Sequence, residues 1–460
     1  MAKPGKYTTE KLAEYILNLR AEDIPAATVE TVQRCVLDLI ASAIAGAQAE
    51  AALIARGSAE RLAGPGLSDI WFGGGRRPAA CAAFANSAAA SVLDLDDGHR
   101  AAGGHPGAAV IPAVLAVAQE VQAGWTEVLA ALVAGYGVGV RVAAARDFAA
   151  LDTLSTGRWC AYGVAAAAAR LRNLTVRETA EALAVAGVLS PGLSAAGYSK
   201  VMGNHAKEGI PWATLTGLWA VELAAGGFTG PLDILDHPGY YDAEKIVVGL
   251  EQGFAVDGVY FKPYACCRWI HAPLDGLIRL LREHGIPAAD VRAIEVHTFE
   301  RALRLNNHAD PDTVESAQYS VPFCLAVAAL EGRGGLLPLK SALLHRPEIV
   351  SLAGRVSLSI DPELERLFPE RTAARVVIRT ASSRFETVCH HPLGDPANPM
   401  RWEGVVDKFR KLSQAVLPGQ RQEDIIRAVN ALPNQGVGPL LDLVAQPIDL
   451  AATYGKFYPF

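Results

Sequence analysis

The chain has 460 residues, a formal net charge of −6 at pH 7 and a sequence pI near 6.0. Hydrophobic residues make up 51% of it and charged residues 20%, and its mean hydropathy is +0.19. The acidic balance and the lack of a lysine- or arginine-rich block argue against a nucleic-acid partner, and the length predicts two or more domains.

The most apolar stretches are interrupted by charged residues. Asp38 lies within residues 35–47 and Arg141 within residues 128–145, so no membrane-spanning segment and no membrane partner are predicted. Residues 1–6 lack the apolar core of a signal peptide, which predicts a cytoplasmic protein. The seven scattered cysteines are accordingly expected to be reduced thiols.

Apolar residues recur at helical spacing through most of the first half, and short Gly, Pro and Ser segments separate the runs. Strand-like alternation is scarce before about residue 247. The predicted helices of this half are residues 8–19, 26–47, 50–61, 79–95, 108–121, 125–145, 161–171, 176–188 and 204–223.

The second half contains β-branched, alternating segments at residues 291–298, 355–360, 375–380 and 385–390, the last two joined as a hairpin. Helices are predicted at 273–284, 320–331, 402–417 and 423–429. The fold class is therefore mainly α, with a large all-helical domain and a smaller α+β lid domain. Residues 1–257 form the helical domain, 258–392 the lid, and 393–460 return to the helical domain.

A polar segment at residues 93–107 lies between two alanine-rich runs. Asp94 and Asp97 are three residues apart, so a helix that reaches residue 95 would project both from one face. Pro106 suits the start of the next helix and places His105 at its N-terminus, where an anion binds and a neutral histidine can act as a base. The alternative is that these side chains only cap helices.

A second polar segment covers residues 199–209 and contains Lys200. Asn204 is a good helix N-cap, which places Lys207 in the first turn of the next helix, where the helix dipole disfavours a cation. An anionic substrate or a depressed pKa would explain such a lysine. The alternative is a solvated lysine or one paired with Glu208.

A third segment, residues 260–271, combines Lys262, Arg268 and His271 with aromatic residues and forms a cationic patch suited to carboxylates. Cys266 and Cys267 are adjacent, which makes them poor chelators, and no second ligand pair follows. No metal is predicted here.

No cofactor is predicted elsewhere. Residues 135–139 read GYGVG, but they lie inside a predicted helix without a preceding strand, unlike a dinucleotide-binding turn. No phosphate-binding loop and no nucleophile elbow are present.

Several motifs occur together in one order along nearly the whole chain. They are LDLI at 37–40, LDLDD at 93–97, HPG at 105–107, GY at 135–136, NHAKEG at 204–209, FKPY at 261–264, QY at 318–319, GDPANP at 394–399 and KF at 408–409. With these motifs the chain resembles the MmgE/PrpD family, which includes 2-methylcitrate dehydratase, cis-aconitate decarboxylase and iminodisuccinate epimerase.

The resemblance implies a helical domain built from the N-terminal half and the C-terminal tail, an α+β lid, and a homodimer. It also implies an active site between the domains that uses neither metal nor organic cofactor. The residues that the resemblance places in that site are Asp94, His105, Lys207, Lys262 and Tyr319.

The chain departs from the family pattern at specific positions. Where decarboxylase-like members read His-Pro-Thr-Gly-Thr, this chain has Leu154 in place of the histidine and Arg158 as a new cation. Gly98 replaces a threonine after the paired aspartates. Gly107 follows the His-Pro pair where methylcitrate dehydratases continue with Ser-Asp-Asn, which makes that dehydration the least favoured reaction.

All three family reactions pass through negative charge on a carbon next to a carboxylate, so the site needs cations and a nearby proton-transfer group. The favoured hypothesis is an isomerase, an epimerase of a small di- or tricarboxylate that resembles iminodisuccinate epimerase. The alternatives are a lyase, either decarboxylase or dehydratase, and a non-catalytic polycarboxylate-binding homologue. The expected proton-transfer residues are His105, Lys207 and Tyr319 with Asp94, and the expected carboxylate-binding residues are Lys200, Lys262, Arg158, Arg268 and His271.

Overall fold

The computed structural model describes residues 5–148, 150–151, 153–190 and 204–449. Helices dominate it, which confirms the mainly α class. The helices are α1 (Thr8–Asn18), α2 (Ala26–Gly46), α3 (Glu50–Leu62), α4 (Ala79–Ser91), α5 (Gly107–Val121), α6 (Trp125–Ala144), α7 (Cys160–Leu171), α8 (Val176–Leu189), α9 (Ile210–Ala225), α10 (Ala243–Val247), α11 (His271–Glu283), α12 (Glu300–Leu303), α13 (Val314–Ala317), α14 (Val321–Glu331), α15 (Pro347–Ala353), α16 (Pro362–Glu365), α17 (Trp402–Ser413), α18 (Gly419–Asn430), α19 (Leu432–Gln435) and α20 (Gly438–Ala445).

Small residues let the central helices of the first half pack closely. Helix α7 lies against α5, α6, α8 and α9, and most of its side chains are alanine. A Cβ atom added to Gly135 of α6 would lie 3.0 Å from the carbonyl oxygen of Gly163 in α7. The glycines of the GYGVG segment therefore serve helix packing, in agreement with its interpretation as helix.

Eight short strands complete the fold. They are β1 (Ser68–Asp69), β2 (Arg76–Arg77), β3 (Gly98–His99), β4 (Val259–Tyr260), β5 (Ala293–Thr298), β6 (Val356–Ile360), β7 (Ala374–Arg379) and β8 (Arg384–Cys389). The last four form one sheet in the order β6-β5-β7-β8. The predicted hairpin is confirmed as the antiparallel pair β7 and β8, and α11 packs against these two strands.

Two chain segments that are distant in sequence meet in the antiparallel pair of β3 and β4, where Gly98 pairs with Tyr260. A Cβ atom on Gly98 would overlap the phenol ring of Tyr260. Gly98, at a position where the family usually has threonine, thus leaves room for the ring of Tyr260. This pairing brings the polar segment around residue 94 next to the cationic segment around residue 262.

The C-terminal tail packs on the N-terminal helices through α17 and α2. The Nζ atom of Lys408 in α17 lies 2.6 Å from Oδ1 of Asp38 in α2 and also donates to the carbonyl oxygen of Leu95. This buried ion pair joins α17 to α2. The domain boundaries at residues 257 and 392, the assignment of residues 393–460 to the helical domain and the action of residues 258–392 as a lid stay predictions.

Helix α6 is, among the described residues, the single unbent helix long and apolar enough to cross a membrane, and 83% of its most apolar window is buried inside the protein. Helices α2 and α3 pass the same test only as a pair bent by 94°. Core helices have the same composition, so this is weak evidence for a membrane span. All seven cysteines are free thiols, as expected.

Candidate active site

Asp94 lies at the centre of a buried ion cluster. Its Oδ1 is 2.5 Å from Nζ of Lys207 and its Oδ2 is 2.5 Å from Nζ of Lys262. All three side chains are almost fully buried. Burial disfavours the Asp94 carboxylate, but Lys207 and Lys262 outweigh that cost and hold its pKa below its usual range.

The expectation that Asp94 and Asp97 share a helix face was wrong. Helix α4 ends at Ser91, and Asp94 has a φ of +55°, a left-handed conformation that a helix cannot continue through. The carboxylates of Asp94 and Asp97 consequently have different roles.

Asp97 holds the start of α5. Its Oδ1 accepts a hydrogen bond from the backbone N–H of Gly107 at 2.9 Å, and its Oδ2 accepts one from the Tyr136 hydroxyl at 2.7 Å. Burial raises the pKa of Asp97 to about 7. The capping alternative thus describes Asp97, whereas Asp94 holds the two lysines.

Lys207 does not lie in the first turn of a helix, which corrects the sequence-based expectation. Lys207, Glu208 and Gly209 have φ angles of +40°, +55° and +72°, and α9 begins only at Ile210. Asn204 accepts a hydrogen bond from the N–H of Ala206 and does not cap α9. This left-handed turn aims the lysine at Asp94, and strain of this kind is typical of functional sites.

The pKa of Lys207 is raised, whereas the sequence suggested that it could be lowered. Burial lowers it, but the Asp94 carboxylate outweighs burial and raises it well above its ordinary value. Lys207 is therefore a permanent cation in this state. A cation of this kind stabilises a nearby anion more readily than it removes a proton.

Tyr319 stands next to this cation. Its hydroxyl oxygen lies 3.2 Å from Nζ of Lys207, and the lysine also lies 5.1 Å from the centre of the phenol ring. Burial raises the pKa of Tyr319 well above its usual value, although Lys207 opposes this. The phenol is neutral and can donate a proton whose loss Lys207 would stabilise.

His105 lies two residues before the first residue of α5, close to the helix start as expected, but its pKa shift differs from the prediction. Its Nδ1 lies 3.1 Å from Oδ2 of Asp96, and its Nε2 lies 3.8 Å from Oδ1 of Asp94. Burial lowers the pKa of His105, yet Asp96 outweighs it, so the net shift is upward. Asp96 and Asp94 together outweigh burial and the Lys262 charge, and this upward shift is opposite to what the helix N-terminus alone predicts.

These groups border a cavity of about 150 Å³. Five lysine and arginine side chains and a single carboxylate, that of Glu208, face it from the described part of the chain. Leu154, which replaces the family's histidine, also lines it. The cationic lining residues are Arg100, Lys207, Arg268, Arg301 and Arg304. Such an excess of positive charge suits a small molecule with several carboxylates.

Arg268 and Arg100 share one acidic partner. Nε of Arg100 lies 3.0 Å from Oδ2 of Asp395, and the same oxygen lies 3.4 Å from Nη2 of Arg268. The Arg268 guanidinium also lies 4.5 Å from the centre of the Tyr260 ring. Two guanidinium groups with one carboxylate leave a positive charge that a substrate carboxylate can balance.

His271 and Lys262 lie behind the cavity wall. His271 has its Nδ1 3.3 Å from Arg268, and burial followed by that arginine lowers its pKa well below the usual value. His271 thus orients Arg268, and it does not line the cavity that the described residues form, so its role in binding substrate stays a prediction. Lys262 contacts Asp94 and does not reach the cavity as defined by the described residues.

The other two predicted carboxylate-binding residues find no support. Arg158 ends the turn Thr156–Arg158, and the cavity wall that the described residues form does not include it. Its charge instead acts on the neighbouring Arg146. Lys200 lies outside the described residues.

The described residues contain one group with metal-binding geometry, Asp94, Asp96 and His105. Two ammonium groups already lie 2.5 Å from the oxygens of Asp94. A divalent cation would meet this positive charge and compete with it. The donor set therefore does not fit a metal.

Sequence reasoning missed several residues of the site, namely Asp96, Arg100, Glu208, Tyr260 and Asp395. All five lie in segments that had attracted attention as motifs or polar clusters. Their separate roles depend on partners far away in the chain, and that is the signal a single sequence lacks.

Known proteins resemble this chain over almost its whole length. The sequence model described as the MmgE/PrpD N-terminal domain matches residues 10–244, and that of the MmgE/PrpD C-terminal domain matches residues 264–434. A cis-aconitate decarboxylase of Aspergillus terreus is 28% identical, with 97% of each chain covered. A cis-aconitate decarboxylase-like protein of Aspergillus oryzae is 25% identical over 96% of this chain and 98% of its own. A cis-aconitate decarboxylase of Mus musculus is 24% identical, covering 93% and 91%. The chain belongs to the MmgE/PrpD family.

Proposed function

We propose that this protein is a lyase that removes a carboxyl group, as carbon dioxide, from a small unsaturated tricarboxylate of the cis-aconitate type. One observation carries the proposal. Lys207, Tyr319 and His105 gather around Asp94 beside a cavity whose charged lining, among the described residues, is five Lys and Arg side chains against one carboxylate.

The placement of the proton-transfer groups favours decarboxylation over epimerisation. Nζ of Lys207 and Nε2 of His105 lie 2.5 and 3.8 Å from the same oxygen of Asp94. Tyr319 contacts Lys207, so all three groups lie together. Decarboxylation needs one proton donor at the carbon that loses its carboxylate, whereas epimerisation needs two proton-transfer groups on opposite faces of a carbon.

Each step can be assigned to residues of this chain. Arg100 and Arg268 bind carboxylates that the substrate keeps. The bond to the departing carboxylate breaks, and its electron pair stays on a carbon conjugated with the double bond. Tyr319 then donates its proton to carbon, and Lys207 stabilises the resulting phenolate. Asp94 holds Lys207 in the cationic state that this role requires.

The relatives support the same reaction class, since three that match over more than 90% of their own length bear the name of cis-aconitate decarboxylase or a protein like it. Their identity of 24–28% leaves room for a different substrate. The tricarboxylate in their names is therefore the first compound to assay.

An epimerase of a small di- or tricarboxylate, resembling iminodisuccinate epimerase, is the second candidate. The observation that favours it is Leu154, an apolar residue in the cavity wall where decarboxylase-like members carry an acid/base histidine. An apolar group at that point cannot protonate a decarboxylation intermediate.

One experiment separates the candidates. The protein is incubated with cis-aconitate and other small di- and tricarboxylates in D₂O while NMR and a carbon dioxide assay follow the products. Release of carbon dioxide with one deuterium on the product carbon supports the lyase. Deuterium exchange or inversion without loss of carbon would replace it by the epimerase, and tight binding without either would identify a non-catalytic homologue.

As an internal control, Tyr319→Phe and Lys207→Ala should each lower kcat about 10²-fold or more, in the range of general acid catalysis. Circular dichroism of both variants shows whether the fold is intact. Normal turnover by both folded variants would remove these residues from the reaction.

A further inference from the structure

Glu208 is the one acidic side chain that lines the cavity among the described residues. A carboxylate is unfavourable in a site for polyanions, because it repels the ligand. Its backbone is held in a left-handed turn that a glutamate seldom adopts, with a φ of +55°. Both costs indicate that this residue does more than fill space.

The contacts of Glu208 connect it to the proposed proton donor. Its Oε1 lies 3.5 Å from the hydroxyl oxygen of Tyr319, which in turn lies 3.2 Å from Nζ of Lys207. Its Oε2 accepts hydrogen bonds from the backbone N–H of Thr156 at 3.1 Å and from the Thr156 hydroxyl at 2.9 Å. One oxygen is thus anchored while the other faces the phenol.

Decarboxylation requires a supply of protons to the site. Each turnover replaces a carboxylate on carbon by a hydrogen and so consumes one proton. Tyr319 is 9% exposed and Lys207 4%, so neither exchanges freely with bulk water. Glu208 is only partly buried and lines the cavity, which places it between water and Tyr319.

We propose that Glu208 relays protons to Tyr319, an assignment that rests on the proposed decarboxylase function. After Tyr319 has given its proton to the product carbon, the carboxylate of Glu208 takes a proton from the solvent. It then passes this proton to the phenolate oxygen of Tyr319 and becomes a carboxylate again. One proton passes from solvent to carbon in each cycle, and both side chains return to their starting states.

The competing explanation is structural. Thr156 also accepts a hydrogen bond from the backbone N–H of His105 at 3.1 Å, so Glu208 could serve only to hold Thr156 and His105 in place. Glu208→Gln separates the two roles, because the amide oxygen can still accept from Thr156 while the amide group cannot relay a proton. Glu208→Gly suits the left-handed backbone and leaves space for a small external acid.

The test measures kcat, KM and the solvent deuterium isotope effect with the substrate that the wild type decarboxylates. We expect kcat of Glu208→Gln to fall at least 10-fold without a rise in KM, since reprotonation becomes slow while a repulsive charge is removed. Formate or acetate should restore part of the kcat of Glu208→Gly in proportion to its concentration. Glu363→Gln, at a side chain that is 80% exposed and does not line the cavity, is the matched control and should behave like the wild type.

Every outcome decides the question. A wild-type kcat in Glu208→Gln overturns the relay, and so does a loss of kcat in both variants that no external acid rescues, which would assign Glu208 to holding Thr156. If the wild type itself releases no carbon dioxide from any tested acid, the proposed function is rejected, and the relay, which depends on it, is rejected as well. Carbon dioxide release by the wild type with a normal Glu208→Gln rejects the relay alone.

Discussion

At the scale of single residues, Asp94 decides the electrostatics of the site. It is the carboxylate that lies 2.5 Å from both Lys207 and Lys262, and all three groups are removed from water. Such a cluster contributes little net stability when complete, because desolvation offsets the attraction between the charges. Removal of one member is costly, because the others stay buried without a counterion.

Asp94→Asn is therefore expected to lower the free energy of unfolding by about 3 to 5 kcal/mol, the usual cost of breaking a buried ion pair. Turnover should fall as well, because the pKa of Lys207 loses its main upward influence. Urea denaturation and steady-state kinetics check both effects. Asp407→Asn, at a side chain that is 68% exposed, is the control. An Asp94→Asn protein as stable as that control would contradict this account of the cluster.

Gly98 provides a second test at this scale. A threonine there would overlap the ring of Tyr260, as shown by the position of an added Cβ atom. Gly98→Thr should lower the free energy of unfolding by about 1 to 3 kcal/mol through overpacking. Adding Tyr260→Ala should recover part of that loss, so the two changes should be non-additive in thermal denaturation. Strict additivity would show that the two positions do not compete for space.

At the scale of elements, the start of α5 depends on the protonation of Asp97. Its carboxyl group bonds the first N–H of the helix and the Tyr136 hydroxyl, and burial raises its pKa from 3.8 to about 7. Between these two values the folded state binds more protons at this group than the unfolded state does. Raising the pH through that window therefore costs stability.

Asp97→Asn should remove this dependence. At pH 5 the variant should be close to the wild type, because the wild-type carboxyl is then protonated in the folded state. By pH 8 the variant should gain about 1 to 3 kcal/mol relative to the wild type, since the wild type carries a buried charge. Urea denaturation at several pH values gives the difference directly, and a difference that stays constant from pH 5 to pH 8 would show that Asp97 does not titrate as described.

The elements also show how far the sequence can be interpreted alone. Helical periodicity located α2, α5, α6, α7 and α8 within a few residues, because each has a long run of apolar residues at helical spacing. The predicted C-terminal end of α4 and start of α9 were wrong because ion pairs between distant residues set them. Lys262 is 168 residues from Asp94, and no local pattern records such a contact.

The candidate site, too, could be predicted from the sequence only in part. Motifs identified Asp94, His105, Lys207 and Tyr319, and the structure brings them together, but the pKa values of His105 and Lys207 are shifted in the direction opposite to the one suggested. Position along a helix predicted a neutral His105, whereas the nearby carboxylate of Asp96 favours its cation. Local sequence predicts which residues are polar, and only the fold shows which of them neutralise one another.

At the scale of the whole molecule, one surface carries large apolar side chains that a monomer would leave in water. Trp212 and Trp219 lie one to two turns apart on α9 and are 54% and 55% exposed. Phe84 of α4 meets Trp212 edge to face at 5.4 Å between ring centres. Exposed aromatic clusters are typical of protein interfaces, and the family resemblance implies a homodimer.

We therefore expect the protein to form a homodimer through this surface, with Trp219 near its centre. Tryptophans at the centre of an interface contribute about 2 kcal/mol or more, so Trp219→Glu should weaken dimerisation at least about 30-fold. Size-exclusion chromatography with light scattering over a dilution series measures the change, and circular dichroism confirms folding. Tyr240→Glu, at a side chain that is 71% exposed outside α9, is the matched control and should stay dimeric. If the folded Trp219→Glu protein dimerises as tightly as that control, the interface lies on another face, because a buried carboxylate without a partner cannot be accommodated at the centre of an apolar contact.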